Sequence, residues 1–507
     1  MNRRQFAINT GASTLNLIIQ FSVNFFLTAY LVKTVGSTAY GFFTLACTIV
    51  NYATIVSNAL NSMASRFVGY EYFQKNFKGA IRYFSSVLYG DIAFVLIILA
   101  PALILIYNLD DCIDIPIKLV YDVKILFLIV FLNLCISLIG SIFSAVYVIT
   151  NRLDISSIRN VVSNILRALL LVYLYSQFKA SIIYIGIATI LTTLLIVGND
   201  IYFSKRLLPD IKSKANCVSI GAIRTLTMSG IWNSVNQLGM IFLHGLDLLL
   251  CNQMISPVYM GYLSIACTMP NAVSACISSF SYLFTPQFLE HFSKNEFELL
   301  RNDIVNSIKF MTVISCIPIS FLIGFGLQFY SLWTPSADVI LVYILSVCII
   351  IPNFTGGCIN SVNFLYSVVN KVKTPALILL LTGVLNVAIV YLLLKFTDWG
   401  VICIVVVSAV LGLMRNIFFN APFAAHCIKQ PYHIFWRDIF KSFLCLVLGC
   451  IICYYIGSLL VIDSWTSLIL IGGSASVLMA VGVALIILSK QQRYFLLSKI
   501  FNKNQCQ

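Results

Sequence analysis

Long apolar runs, separated by short breaks rich in charged residues or in Gly, Pro and Asn, recur along the whole chain. Each run approaches the ~20 residues that a helix needs to cross the hydrocarbon core of a bilayer. The runs are continuously apolar and do not alternate, which argues against a transmembrane β-barrel. They predict an all-α polytopic membrane protein with about 14 transmembrane helices. The predicted spans are 9–32, 41–65, 83–107, 124–149, 158–175, 181–203, 226–250, 257–284, 308–329, 339–367, 373–394, 400–425, 438–458 and 466–488.

Composition agrees with a membrane protein. Of the 507 residues, 60% are hydrophobic and only 10% are charged, whereas soluble domains carry about 25% charged residues. A soluble enzyme, a coiled coil, a disordered chain and a disulfide scaffold are therefore excluded. Cys450 and Cys453 form a CxxC pattern inside an apolar run, where buried thiols are expected more than a redox or metal pair.

The net charge of +14 reflects how the basic residues are distributed. With both termini on the cytoplasmic side, 25 of the 32 Lys and Arg fall in cytoplasmic segments, five fall outside and two, Arg167 and Arg415, fall within spans. This is a strong positive-inside bias, so the basic excess indicates topology and no nucleic-acid partner. The first apolar run carries Asn16, Gln20 and Asn24 and lacks a small-residue cleavage site. It is predicted to be retained as the first helix.

An internal repeat indicates how the helices are organised. The segment 41–48 aligns with 261–268 at an offset of 220, and Asn151-Arg152 aligns with Asn370-Lys371 at an offset of 219. Six predicted helices separate the copies, so both enter the membrane in the same sense. The repeat predicts two parallel six-helix lobes plus two C-terminal helices. The predicted domains are a lobe at 1–203, a cytoplasmic linker at 204–225, a second lobe at 226–428, and the extra helices with a cytoplasmic tail at 429–507.

Duplicated membrane proteins of this kind are commonly transporters that work by alternating access, with the substrate bound between the repeats near the midplane. A duplicated membrane enzyme is the alternative. Neither a Walker A sequence nor an HExxH or paired Cys/His pattern occurs in the sequence, so no cofactor or metal is predicted. The acidic outer segment 108–123 is interpreted as a solvated loop, with an acidic catalytic cluster as the alternative.

Polar residues at helical spacing form stripes on the first two predicted helices of each half. Lipid-facing helices do not present amides cheaply, so these faces are expected to look inward. They indicate either a hydrophilic lumen, suited to a sugar-bearing or other bulky polar ligand, or hydrogen bonds that join helices. The stripes are Asn9, Ser13, Asn16, Gln20 and Asn24; Thr44, Thr48, Asn51, Asn58, Ser62 and Ser65; Asn233, Asn236, Met240 and His244; and Ser264, Thr268, Asn271, Ser278 and Thr285.

Ionisable residues inside membrane spans are costly and mark functional sites by default. Arg167 and Arg415 are candidates for binding a phosphate or diphosphate, because the guanidinium group binds oxyanions bidentately. The alternative is a structural pairing of either arginine with Asp91, Asp200 or Asp247. His244 and Asp247 are three residues apart and with Asp91 are candidates for coupling to H⁺ or Na⁺. Prolines are predicted to interrupt four helices at Pro101, Pro270, Pro318 and Pro352, the last followed by Gly356-Gly357 as a possible hinge.

Three short motifs resemble those of bacterial polysaccharide flippases of the Wzx type. Residues 31–36 (LVKTVG) followed by 40–46 (YGFFTLA) are similar to the first external turn of that family, with Val35 in place of the usual Leu. Arg66, in the segment 65–68, resembles the family's Arg at the end of the second helix. Residues 399–402 (WGVI) resemble the family's Gly-initiated twelfth helix.

The resemblance implies the fold of the multidrug/oligosaccharidyl-lipid/polysaccharide exporter (MOP) superfamily and a place in the bacterial inner membrane. It also implies that undecaprenyl-diphosphate-linked oligosaccharides are flipped to the periplasmic leaflet, with cationic lumen residues, an ion gradient and polysaccharide polymerase machinery as partners. The predicted substrate-binding residues are Arg66, Arg167, Arg415, Asn51, Asn58 and Asn271. The alternatives are a drug or metabolite exporter of the same superfamily and a membrane polysaccharide polymerase or ligase. Such enzymes usually carry a large periplasmic loop, and the longest predicted outer loop has roughly sixteen residues.

Overall fold

The computed structural model describes residues 3–460, 462–488 and 493, and all regular secondary structure in these residues is helical. Thirteen of the described helices are long and apolar enough to cross a membrane. A fourteenth candidate span consists of two helices that meet at an angle of 41°. Each predicted span overlaps one of these segments, so the predicted all-α polytopic fold is confirmed.

The fourteen spans, α1 to α14, follow one another along the chain. The first seven are α1 Arg3–Val35, α2 Ser37–Phe73, α3 Phe77–Tyr107, α4 Ile117–Ile149, α5 Leu153–Gln177, α6 Ile183–Leu207 and α7 Ile220–Met254. The others are α8 Pro257–Ser293, α9 Phe297–Trp333, α10 Val339–Ile350 with Asn353–Val368, α11 Lys373–Phe396, α12 Val401–Cys427, α13 Trp436–Leu459 and α14 Trp465–Ile487. The tail predicted beyond α14 lies outside the described residues, except for residues 488 and 493.

The chain divides into two compact units, Met1–Ser264 and Ile265–Gln507. In the first unit α1 packs against α5, α2 against α7, and α4 against α2, α3 and α6. In the second unit α9 is central and packs against α10, α13 and α14. The lobe limits expected from the sequence, at residues 203 and 226, stay a prediction.

The sequence repeat recurs in the local geometry of the two units. Lys75 and Asn295, 220 positions apart, both have left-handed backbones with φ of 60° and 57°. Asn151 and Asn370 also share this conformation, with φ of 54° and 55°. In both pairs the residue closes a helix, since the next amide donates to a carbonyl five residues back. The turns at equivalent positions therefore follow one pattern in both units.

A buried tyrosine repeats in the same way. Tyr147 Oη donates to Asp200 Oδ1 at 2.8 Å in the first unit. Tyr366, at an offset of 219, donates to the backbone oxygen of Asn420 at 2.7 Å in the second. Asn420 stands 220 positions after Asp200, so the two tyrosines bond residues at equivalent positions of the repeat. The acceptor residue is charged in the first unit and neutral in the second.

Helix breaks do not follow the prolines as expected. Pro101, Pro270 and Pro318 lie inside α-helices that continue through them, so the predicted interruptions at these positions are wrong. Long helices tolerate proline where neighbouring groups take over the lost backbone contact. At Pro352 the two parts of α10 meet at an angle of 41°, which is the one bent helix pair found in the part of the chain that the structure describes. Elsewhere the α-helical pattern changes to π-helix, at Ile241–Gly245 in α7, Asn416–Asn420 in α12 and Leu468–Gly473 in α14.

The acidic segment after α3 forms a short turn. Lys124 Nζ lies 2.5 Å from Asp110 Oδ1, and this hydrogen bond holds the pKa of the exposed Asp110 carboxyl below its ordinary value. Asn252 on α7 is buried and bonds both the backbone amide and the carbonyl of Asp114 at 3.0 Å. Asn252 therefore ties this turn to α7.

Candidate functional site

A polar cavity of about 410 Å³ lies in the first unit among α2, α4 and α7. Small-molecule sites in proteins typically enclose about 300–1,000 Å³. Amide and hydroxyl side chains line this cavity, together with an apolar strip of Val50, Val130, Leu134 and Leu138, and the lining contains no Asp, Glu, Lys or Arg. The polar lining residues are Asn51, Thr54, Ser57, Asn58, Asn61, Asn133, Ser137, Ser141 and Gln237.

α2 and α7 pack closely next to this cavity, which Gln237 of α7 helps to line. Gly230 lies so near α2 that a Cβ there would be 2.1 Å from the backbone oxygen of Ala59. On the same face of α7, Ser234 Oγ donates to Ile55 O at 2.6 Å and Gln237 Nε2 donates to Thr54 Oγ1 at 2.6 Å. Residues 230, 234 and 237 are spaced so that they lie on one face of α7. The contact between α2 and α7 is therefore made by one glycine and two polar side chains on that face.

A second, apolar cavity of about 210 Å³ lies among α2, α3 and α4. Val50 lines both cavities, so they are neighbours across α2 and α4. The apolar cavity includes Pro101, Leu105, Phe127 and Phe131 in its lining. An amide-lined space and a hydrocarbon-lined space therefore adjoin in this unit.

Asp91 lies behind the polar cavity and is fully buried on α3. Asn61 Nδ2 donates to its Oδ1 at 3.0 Å, and Ser141 Oγ lies 3.3 Å from its Oδ2. Asn61 and Ser141 line the cavity. The carboxyl group thus contacts the site through two lining residues.

The second unit has a comparable polar group between α8 and the second part of α10. Asn353 Nδ2 donates to Ser274 Oγ at 3.0 Å, and Asn360 Nδ2 donates to Ser278 Oγ at 2.9 Å. Asn271, on α8, is exposed. The offset of 220 relates Asn133 to Asn353 and Asn51 to Asn271, so both units place amides on corresponding spans.

Arg167 and Arg415, the two arginines predicted to lie within spans, have no carboxylate partner among the described residues. Arg167 Nη2 donates to Asn24 Oδ1 at 2.8 Å, and its Nε has no partner among the described residues. Arg415 is half-buried beside the π-helical segment of α12, and its Nε is likewise without a described partner. Neither forms an ion pair in the part of the chain that the structure describes. The alternative of a structural Arg–Asp pairing is therefore wrong for both, whereas Asp200 pairs with Arg159.

The remaining predicted residues lie elsewhere. Arg66 is exposed on the short helix Ala64–Phe73 that ends α2. His244 is exposed within the π-helical segment of α7, and Asp247 is buried at the start of the following helix. His244 and Asp247 therefore lie on opposite sides of the point where α7 changes from π-helix to α-helix.

The polar stripe of α1 joins helices. Asn9 Nδ2 donates to the backbone and side-chain oxygens of Asn151 at 3.1 Å, and the amide of Asp154 donates to Asn9 Oδ1. Ser13 Oγ contacts Ser157 Oγ at 3.2 Å. With Asn24 bound to Arg167, these contacts attach α1 to α5. For these members of the stripe, helix joining was the correct alternative.

We expect Asn9→Ala to lower stability without lowering transport. The change leaves a buried amide and carbonyl unpaired, which costs about 1–3 kcal/mol, and it should lower the thermal unfolding midpoint of the purified protein. Ser13→Ala removes one hydroxyl contact, and interhelical bonds of this kind average only ~0.6 kcal/mol. A transport defect in Asn9→Ala protein at matched amounts would contradict the helix-joining role.

Sequence reasoning missed Asn61, Asn133, Ser141, Ser234 and Gln237. The α7 stripe was placed on Asn233 and Asn236, but the face that contacts α2 carries Ser234 and Gln237. For α4 a signal was present, because Asn133 and Ser141 recur as Asn353 and Ser361 at the repeat offset.

Comparisons with known proteins find the same overall fold in solved membrane transporters and in a flippase. The lipid II flippase MurJ, in an inward closed conformation, superposes with a TM-score of 0.66 at 15% identity, covering 97% of this chain and 100% of that one. An inward-facing multidrug resistance MATE transporter of the MOP superfamily gives 0.62 at 13% identity, covering 82% and 99%. A MOP superfamily transporter from Pyrococcus furiosus gives 0.60 at 14% identity, covering 83% and 95%. This chain shares its fold with these transporters and with MurJ.

In sequence, the chain is 25% identical over 498 residues to the uncharacterized membrane protein EpsK of Bacillus subtilis (strain 168), covering 98% of each. No family model matches the chain. The similarity spans nearly the full length of both proteins, so it includes α13 and α14.

Proposed function

We propose that this protein is a flippase that carries undecaprenyl-diphosphate-linked oligosaccharide units across the bacterial inner membrane by ion-coupled alternating access. Both termini would be cytoplasmic, in keeping with the distribution of Lys and Arg. A polysaccharide polymerase would use the flipped product. The coupling ion would be H⁺ or Na⁺, and Asp91, His244 and Asp247 are the residues proposed to respond to it.

The observation that carries this proposal is the amide-lined cavity beside an apolar one. Sugar hydroxyls both donate and accept hydrogen bonds, which suits the amides of Asn51, Asn58 and Asn133. The apolar neighbour at Val50 suits a hydrocarbon chain. A drug exporter would favour a more apolar or acidic lining, and this cavity has no acidic lining residue.

Arg167 in the first unit and Arg415 in the second are each proposed, separately, to contact the diphosphate group. Each keeps a guanidinium nitrogen without a described partner and lacks a neutralising carboxylate. A charge-assisted hydrogen bond contributes about 1.5–3 kcal/mol. Arg66 and Asn271, both exposed, are proposed to contact the substrate as well.

We expect Arg167→Ala and Arg415→Ala each to reduce flipping on the order of ten- to a hundredfold, the equivalent of about 1.5–3 kcal/mol. The measurement uses proteoliposomes that contain a fluorescent undecaprenyl-diphosphate sugar, with leaflet accessibility read by quenching. Surface polysaccharide is measured in cells that lack the chromosomal copy.

Arg206→Ala is the matched control, because Arg206 is exposed at the end of α6. It should retain normal flipping. If both membrane arginine variants, at normal amounts, still support surface polysaccharide, the diphosphate role is lost. If drug efflux rather than lipid flipping depends on them, the flippase proposal fails.

A further inference from the structure

Asp91, Asn61 and Ser141 form a closed triangle of polar contacts, which we call the α3 ring. Asn61 Nδ2 donates to Asp91 Oδ1 at 3.0 Å. Ser141 Oγ lies 3.1 Å from Asn61 Oδ1 and 3.3 Å from Asp91 Oδ2. Each residue therefore contacts both of the others, and the three come from α2, α3 and α4.

The α3 ring needs one more hydrogen than its amide and hydroxyl supply. Three contacts require three hydrogens. The Asn61 amide directs one hydrogen to Asp91, and the Ser141 hydroxyl has a single hydrogen. An ionised Asp91 carboxylate has no hydrogen to give. With Asp91 ionised, one pair of oxygens would face each other without a hydrogen. A proton on Asp91 Oδ2 supplies the third, with Asp91 donating to Ser141, Ser141 to Asn61 and Asn61 to Asp91.

Reversing the amide of Asn61 does not change this count. Amide oxygen and nitrogen are assigned from the hydrogen-bond network. In the reversed orientation Asn61 donates to Ser141, Ser141 donates to Asp91 Oδ2, and Asp91 Oδ1 must carry the proton to reach the amide oxygen. Either orientation requires one proton on the carboxyl group.

No cation among the described residues forms an ion pair with Asp91. Titratable side chains on α3 and on the elements packed against it include Tyr83 and Tyr89 on α3, Tyr52 and Arg66 on α2, Cys135 and Tyr147 on α4, Lys214 and Cys217 before α7, and Arg224 on α7. Among the described residues, the hydrogen bonds of Asp91 are those to Asn61 and Ser141, and it forms no ion pair. A buried, unpaired carboxylate is strongly disfavoured.

We propose that the α3 ring is a proton-binding site whose occupancy sets the polar lining of the cavity. When Asp91 releases its proton to solvent, the Ser141 hydroxyl turns toward the carboxylate and leaves Asn61 Oδ1 without a donor. Since Asn61 and Ser141 line the cavity, that oxygen then accepts a hydrogen bond from a substrate hydroxyl. The proton and the substrate therefore compete for the same hydrogen-bond network. Such competition is what a transporter needs in order to move a proton and a substrate across the membrane in opposite directions. This use of the site rests on the proposed function, whereas proton binding itself does not.

The test compares Asp91→Asn with Asp91→Ala in the purified full-length protein. An Asn at position 91 supplies an N–H where the protonated carboxyl supplies an O–H, so it reproduces the neutral ring. We expect the thermal midpoint of Asp91→Asn to stay within a few degrees of the unmodified protein, and that of Asp91→Ala to fall. Infrared difference spectra at neutral pH should show a protonated-carboxyl band that Asp91→Asn lacks and that Asp247→Asn retains.

Two further results follow from competition within the ring. Ser141→Ala should shift the carboxyl band, because it removes the group to which Asp91 donates. In proteoliposomes, Asp91→Asn should flip lipid at a rate that no longer depends on pH. If the band at neutral pH is unchanged by Asp91→Asn, or if that variant unfolds as readily as Asp91→Ala, the ring is not neutral and the proposal is overturned.

These readouts separate the two proposals. A band assigned to Asp91 in a protein that flips no lipid would sustain the α3 ring and reject the flippase. A band that is absent, together with stabilisation by sodium chloride but not by potassium chloride, would replace the proton with a sodium ion. If the flipping rate of Asp91→Asn still depended strongly on pH, Asp91 would have no role in proton coupling.

Discussion

Gly230→Leu is expected to prevent the protein from accumulating in folded form. A Cβ at position 230 would lie 2.1 Å from the backbone oxygen of Ala59 and 2.8 Å from Ser62 Oγ. A backbone carbonyl cannot move aside as a flexible side chain can, so α2 and α7 must separate. Overpacking alone costs about 1–3 kcal/mol, sometimes more, and separation also breaks the contacts made by Ser234 and Gln237.

Size-exclusion profiles and thermal unfolding of the tagged protein measure this effect. Gly198→Leu on α6 is the matched control, because it is an exposed helical glycine whose Cβ would meet nothing within 4 Å. That variant should elute as a single species at the normal midpoint. A Gly230→Leu protein with the same profile as the control would show that α2 and α7 do not require this close approach.

Asn58→Trp is expected to reduce transport to background while the protein still folds. Asn58 is half-buried and lines the polar cavity, so an indole there occupies space proposed for the substrate and removes an amide that could bind it. Val56→Trp is the control on the same helix. Val56 is 64% exposed and does not line the cavity, so its replacement should leave transport intact.

Leaflet accessibility of a labelled lipid-linked sugar, at equal protein amounts, measures both variants. Equal loss in Asn58→Trp and Val56→Trp would point to a general disturbance of α2. Full activity in Asn58→Trp would contradict the assignment of this cavity to the transported polar group.

The fold was largely predictable because the bilayer imposes a simple rule on sequence. Backbone groups inside the hydrocarbon must pair within a helix, so a long apolar run such as that of α3 has one solution. The internal repeat was also predictable from the sequence. Asn151 and Asn370, which align in the repeat, adopt the same left-handed backbone conformation. The π-helical segments of α7 and α12 were not predicted. They depend on packing with neighbouring helices and do not change the spacing of apolar residues in the sequence.

The candidate site was only partly predictable. A stripe of polar residues identifies one face of a helix but does not show whether that face contacts another helix or a cavity. The stripes of α1 and α2 therefore gave the same prediction. Asn9 bonds α5, whereas Asn58 lines a cavity. Periodicity also carries an error of one position, about 100° around a helix, which is why Gln237 was overlooked in favour of Asn236.

The lining of the polar cavity also bears on which sugars the protein would carry. Its amide and hydroxyl groups include no cation, so a uronic acid or a phosphorylated sugar would lose hydration there without gaining a counter-ion. A neutral hexose exchanges hydrogen bonds with water for hydrogen bonds with the amides at little cost. The cavity would therefore discriminate against acidic repeat units and carry neutral ones, so the charge state of the surface polysaccharide would be set partly at the membrane.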